Sequence, residues 1–288
     1  MYKIAHISDT HISFNDTNGH GKNLVELLKD IQSRACNHIV ITGDLVENPE
    51  EKEFRYVKEI LSHFDLLHPE KLSVIPGNHD VFGGAPNSIM FFTFQLICKN
   101  TNTSENVEKF AETFADTMPE DKTFPYLKVI DNIAFIGINS MDKWSVKNNP
   151  EGSNGMINKG DFKKLKKILS RKEIKDKYKI VLIHHHFNKV NLNEEYPAHS
   201  LWLKTVDYKM KLHNKNKLAE LFKNLKVNLV LHGHTHINHI YNIKGVTYIN
   251  SSAACVPLTD DMNRMYNIIS IPGADETDRI LTVETIRI

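Results

Sequence analysis

Five short segments of this chain place side chains that bind metals or carry protons directly after an apolar stretch. They are Asp9-Thr10-His11, Gly43-Asp44, Gly77-Asn78-His79-Asp80, His184-His185-His186 and Gly233-His234-Thr235-His236. Carboxylate, carboxamide and imidazole together suit a borderline divalent ion such as Mn, Fe, Zn or Co. The 3 cysteines, Cys36, Cys98 and Cys255, are far apart, so neither a structural zinc site nor a disulfide framework is expected. In an extended segment residues i and i+2 share a side. On that geometry Asp9 with His11, and His234 with His236, would each aim two donors at one point. The chain holds 16 histidines, and unrelated surface histidines have no reason to gather behind buried strands.

The elements that must position these groups follow from periodicity. Lys3 to Ser8, His38 to Thr42 and Leu72 to Ile75 read as strands, separated by helices at Leu24 to Ala35 and Glu50 to Phe64. Strand and helix alternating at this spacing imply a parallel sheet with helical crossovers, whose ligand site gathers at the carboxyl ends of the strands. Tyr126 to Ile130 and Ile133 to Ile138 read as a hairpin across Asp131-Asn132. A helix over Lys159 to Ser170 precedes the strand Lys179 to Ile183, and a helix over Leu212 to Leu225 precedes Val227 to Leu231. The last fifty residues look antiparallel: Asn238 to Ile243, Val246 to Asn250, Met265 to Ile271 and Ile280 to Ile288. Ser88 to Met118, after Gly83-Gly84, reads as a helical insertion or cap, and 187–210 as a long loop beside the site. The expectation is an α/β chain forming one domain over residues 1–288, with two sheets.

The chain has 288 residues, with 36 Lys and Arg against 35 Asp and Glu, a formal net charge of +1. That balance gives no overall field for nucleic-acid polymers or membranes. A hydrophobic fraction of 41% excludes a disordered chain. No apolar run resembles a signal peptide or a membrane span, so a cytoplasmic protein is expected.

The ordered set Asp-x-His, Gly-Asp, Gly-Asn-His-Asp, His and Gly-His-x-His resembles the calcineurin-like metallophosphoesterase superfamily from Asp9 to His236. The Asp9-Thr10-His11 opening and the multi-histidine run look most like its cyclic-nucleotide and glycerophosphodiester phosphodiesterase branch. The resemblance implies a two-sheet β-sandwich flanked by helices, in four αββα layers, with a dinuclear centre at one edge. It implies that Asp9, His11 and His236 hold one metal, that Asn78, His184 and His234 hold the other, and that Asp44 bridges them. It also implies a catalytic His79, free to protonate the leaving oxygen, with Asp80 fixing its tautomer. Two cations about 3.5 to 4 Å apart would clamp attacking and leaving oxygens at phosphorus and acidify the water between them. His185-His186 stands where that branch has His-Pro, which leaves the part played by His186 open.

His6, His232 and His239 read as strand residues supporting the site, and His20, His38, His63, His68, His199 and His213 as surface or loop residues. The Lys-rich run from Lys163 to Lys179 reads as a solvated helix face in preference to a nucleic-acid surface. Tyr196, Trp202 and Tyr208 could stack on a substrate base or pack within their loop. The expected substrate is a small phosphodiester. A nuclease, a phosphomonoesterase or pyrophosphatase of the same superfamily, and a non-catalytic metal-binding scaffold are the alternatives. Sequence leaves the metal identity and oligomeric state open.

Overall fold

The aliphatic runs pair into two sheets stacked face to face. A computed structural model describes all residues except 16, 85–90, 188–209, 257–263 and 273–280. The first sheet has the order β11-β10-β1-β2-β3, from Thr282–Arg287 (β11), Met265–Ile271 (β10), Tyr2–Ile7 (β1), His38–Ile41 (β2) and Leu72–Val74 (β3). The second has the order β4-β5-β6-β7-β9-β8, from Tyr126–Ile130 (β4), Ile133–Gly137 (β5), Tyr178–Leu182 (β6), Leu229–His232 (β7), Val246–Asn250 (β9) and His239–Ile243 (β8). Strands β1, β2 and β3 are mutually parallel, as are β5, β6, β7 and β9.

Alternation within the parallel strands divides the core. Ile180, Leu182, Leu229 and Leu231 face the first sheet. Their neighbours Val181, Ile183 and Val230 pack against Leu165, Ile168 and Leu169 of helix α6 (Lys159–Leu169) and against Leu218, Leu221 and Phe222 of α7 (Lys215–Asn224). Both faces of the second sheet are covered, as a largely parallel sheet requires. Helices α1 (His20–Ser33) and α2 (Glu51–His63) bury Leu24, Leu27, Leu28, Phe54 and Val57 in the other cluster, which completes the four layers.

Three readings of the sequence change here. The tail is not wholly antiparallel, because β9 pairs with β8 antiparallel but with β7 parallel, Leu229 opposite Thr247. His38 is not a surface residue. It is buried on β2 and stacks on Phe135 at 4.5 Å, with its ring nitrogens at 2.7 Å from Glu70 O and 2.8 Å from Ser73 Oγ. The stretch expected as a helical insertion over Ser88 to Met118 holds α4 (Phe91–Asn100) and α5 (Thr103–Thr113), and a short helix α3 (His79–Phe82) precedes Gly83-Gly84. Phe110 of α5 and Phe114 just past it join Phe54 in the main core, whereas Phe94 and Cys98 of α4 pack on Val81, Phe82 and Met141 in a separate cluster. The loop aromatics Tyr196, Trp202 and Tyr208, and His199, lie outside the described residues.

Candidate metal centre

The five motif segments emerge at the carboxyl ends of β1, β2, β3, β6 and β7, so both sheets contribute to one edge. Pairing of the first sheet continues past its strands: Asp9 N donates to Gly43 O at 3.0 Å and His11 N to Asp44 O at 3.0 Å. The side-chain geometry is nevertheless not the extended i, i+2 arrangement that alternation predicts. Asp9 (φ 52°), His11 (45°), Asp44 (52°), His234 (76°) and His236 (58°) are all left-handed. Such backbone costs roughly 1 to 3 kcal/mol per residue, with Asp and His among the types that tolerate it best. Gly43 (φ 97°) shows why no side chain fits at the seam: a Cβ there would lie 2.5 Å from His184 Nδ1 and 2.8 Å from Gly77 Cα.

Donor atoms of Asp9, His11 and His236 all lie within 4.8 Å of one another, and so do those of Asp44, His184 and His234. His236 Nε2 is 3.5 Å from Asp9 Oδ1 and 3.1 Å from His11 Nε2. His184 Nε2 is 3.3 Å from Asp44 Oδ2 and 3.2 Å from Asn78 Oδ1, and His11 Nε2 is 3.9 Å from the same Asp44 oxygen. Asp44 thus stands between the two groups.

Tautomers are set by groups that can only accept. His184 Nδ1 donates to Thr42 O at 2.7 Å, which turns Nε2 toward Asp44 and Asn78; burial opposes a charge there, but the Asp44 and Asp9 carboxylates raise the His184 pKa to about 9, so a cation at Nε2 would replace a proton. His234 Nε2 donates to Ser153 O at 3.1 Å, and its buried Nδ1 has no hydrogen-bond partner among the described residues. Burial and the neighbouring His185 and His184 hold His234 far below the usual imidazole range, so it is a neutral ligand type. An orphaned buried lone pair beside a carboxylate and two further imidazoles fits a cation, and the N and O donor set fits a divalent transition ion. Among the described residues, no Lys or Arg pairs with any of these side chains.

His79 opens α3 with its side chain about 22% exposed and its ring edge-on to His11, centroids 4.4 Å apart. Its Nδ1 lies 3.2 Å from Glu47 O and 3.4 Å from Glu47 Oε2, and that same Oε2 is 3.0 Å from His11 Nδ1. Burial works against a charge on His79, but the Asp44 and Glu47 carboxylates outweigh it and raise its pKa to about 10. Burial likewise opposes ionisation of Asp44, and the adjacent His184 and His79 hold its carboxyl well below the usual range.

Asp80 does not accept from His79. Successive helical residues point about 100° apart, and Asp80 Oδ1 instead accepts from Leu45 N (2.9 Å) and Val46 N (3.0 Å), and Oδ2 from Gly77 N (2.8 Å). Asp80 braces the Asp44 turn against the Asn78 turn. Glu47 does what was expected of Asp80, and nothing in its spacing marked it. His20 is half-buried, with Nδ1 at 3.0 Å from His11 O. Of the triple run, His185 bonds Ser140 Oγ at 2.7 Å, and His186 is buried and stacks 6.1 Å from His234. His6 bonds Thr42 Oγ1 at 3.0 Å and His232 bonds Tyr241 OH at 2.6 Å, while His239 is exposed.

The family model described as calcineurin-like phosphoesterase matches residues 2–238. No curated protein matches the chain. Among solved structures, a dimetal phosphatase from Danio rerio is similar at 11% identity and TM-score 0.64, over 99% of this chain and 98% of that one. A purple acid phosphatase from yellow lupin seeds is similar at 14% identity and TM-score 0.57, over 99% of this chain and 51% of that one. At these identities the likeness is one of fold.

Proposed function

The chain belongs to the calcineurin-like phosphoesterases, and from that premise we propose that it is a two-metal hydrolase of small phosphodiesters. Asp9, His11 and His236 would hold one ion, Asn78, His184 and His234 the other, and Asp44 both. When bound, the two cations supply Lewis acidity toward the phosphoryl oxygens and an acidified water. The protein's own contribution starts at His79. Its Nδ1 proton is held by Glu47, which leaves the Nε2 proton for the leaving oxygen, and the Asp44 and Glu47 carboxylates favour the charged form of that imidazole. Thr42 O and Ser153 O hold His184 and His234 in their binding tautomers, while Asp80 fixes the turns carrying Asp44 and Asn78.

The observation that carries the substrate class is charge. Asp9, Asp44 and Glu47 supply three negative charges beside two divalent ions, and no Lys or Arg pairs with them among the described residues. With the charged His79 the sum is +2, which a phosphodiester monoanion and the attacking hydroxide would balance together, whereas a monoester dianion with that hydroxide would exceed it. A phosphomonoesterase is the second reading, because the similar Danio rerio protein is a dimetal phosphatase.

The test compares kcat/KM for an aryl phosphodiester, its monoester, a cyclic nucleotide and single-stranded DNA under one metal condition, with elemental analysis alongside. Preference for the diester and cyclic nucleotide with two ions per chain is expected. Preference for the monoester or DNA overturns the substrate class, and full activity with one ion per chain overturns the dinuclear centre.

A further inference from the structure

The net charge of +1 hides a segregation. Residues 159–179 hold ten Lys and Arg against three Asp and Glu, and residues 211–226 hold five against one. These two stretches carry +11, so the rest of the chain is −10. Apart from Lys179, which is buried on β6, they map to the outer layer of the second sheet, since α6 and α7 turn their apolar sides onto the same sheet face. On α6, Lys159, Lys163, Lys164, Lys166 and Lys167 are exposed, followed by Arg171, Lys172 and Lys175, and on α7 and just past it Lys217, Lys223 and Lys226 are exposed.

Among the described residues, part of this charge is uncompensated. Lys164 reaches Asp161 only at 3.8 Å, Arg171 pairs with Glu173, and Glu220 is taken by Lys244. Among the described residues, no carboxylate lies within ion-pair distance of Lys163, Lys166, Lys167, Lys172 or Lys175.

We propose that this α6–α7 face docks the protein on an anionic lipid surface. Two helices lying flat on a sheet present their lysines across a broad layer, which complements an extended plane of negative charge better than a groove or a cylinder. The face is built almost wholly from lysine, a compact point charge without the fork that reads phosphate or base edges bidentately. Among the described residues, none of the large exposed hydrophobic residues lies on it. Adhesion is therefore electrostatic, without insertion. The metal centre opens at the strand ends, not on this layer, so docking leaves it reachable. The proposal does not depend on the hydrolytic reading.

The experiment is co-sedimentation of the full chain with vesicles of phosphatidylcholine alone or with added phosphatidylserine, at low and high salt. Binding to the anionic vesicles only, abolished by salt, is expected. Each lysine at such a surface is worth about a fivefold change in partitioning, so Lys163→Gln, Lys166→Gln and Lys167→Gln together should weaken it about a hundredfold. Lys22→Gln, Lys29→Gln and Lys122→Gln, exposed lysines outside the face, should leave it unchanged, and solution hydrolysis of an aryl diester by both triple variants should stay at the wild-type rate. No binding to anionic vesicles, equal loss in both triple variants, or tighter binding of duplex RNA through the same lysines would each overturn the proposal.

Discussion

Replacing Glu47 by Ala separates the two metal positions. Its Oε2 is shared between His11 Nδ1 at 3.0 Å and His79 Nδ1 at 3.4 Å, so one carboxylate orients the proposed ligand His11 and the proposed proton donor His79 together. Removing such an outer partner of a ligating histidine typically costs 10- to 100-fold in metal affinity. The Glu47 side chain is about 38% exposed, so water can take over part of its work and the low end applies, about tenfold or 1.4 kcal/mol. The second position should not move, because His184 and His234 are held by Thr42 O and Ser153 O. His79 also keeps a partner, since the Glu47 main-chain carbonyl at 3.2 Å survives the substitution. Its loss of proton donation should stay near tenfold, well under that of deleting the ring. Calorimetric titration of metal-free protein should show one binding step weakened about tenfold and the other in place. If both steps shift equally, or neither does, the sharing of Oε2 has no energetic content and the reasoning fails.

His79→Ala should slow hydrolysis of a diester with a poor leaving group by about 10² to 10⁴ and have far less effect on an activated aryl ester; an equal loss on both, or loss of metal, would rule out proton donation. Asp80→Asn puts an amide N–H against a backbone donor, and because leaving a buried donor unsatisfied costs about 1 to 3 kcal/mol, it should lower the unfolding free energy by about that amount, read as a lower urea midpoint with unchanged slope. An unchanged midpoint would show that the brace is dispensable. Burial, with Lys128 nearby, holds the folded pKa of His38 down to about 3, against about 6.5 when unfolded. Between those values the unfolded chain binds the extra proton, so stability is full above about pH 6.5 and falls by about 1.4 kcal/mol per unit below it. His38→Gln should flatten the measured pH slope by that much, and an identical slope would contradict it.

The five motif segments were legible because each is local: a parallel strand ends and its candidate ligand stands within four residues of that end. What the sequence did not disclose is set by backbone rather than by spacing. Left-handed φ at Asp9, His11, His234 and His236 replaces the alternation that extended strands would give. His38 was hidden because His38-Ile39-Val40-Ile41 is buried on both faces, so alternation there carries no information about direction. Glu47 acts through a turn that brings it beside His11 and His79, residues 36 and 32 positions away. The partner of His234 is the main-chain carbonyl of Ser153, for which no residue type is diagnostic.

That last contact bears on how the site can change over generations. A backbone carbonyl is present whatever residue occupies position 153 or 42, so no single codon change removes the acceptors that orient His234 and His184. The orientation of His11 rests on a side chain, and one nucleotide can turn Glu47 into Gln, Asp or Ala. Point mutation can therefore retune the affinity of the His11 position while leaving the His184 position fixed. Descendants of this sequence that adapt to a different metal supply should differ first at position 47.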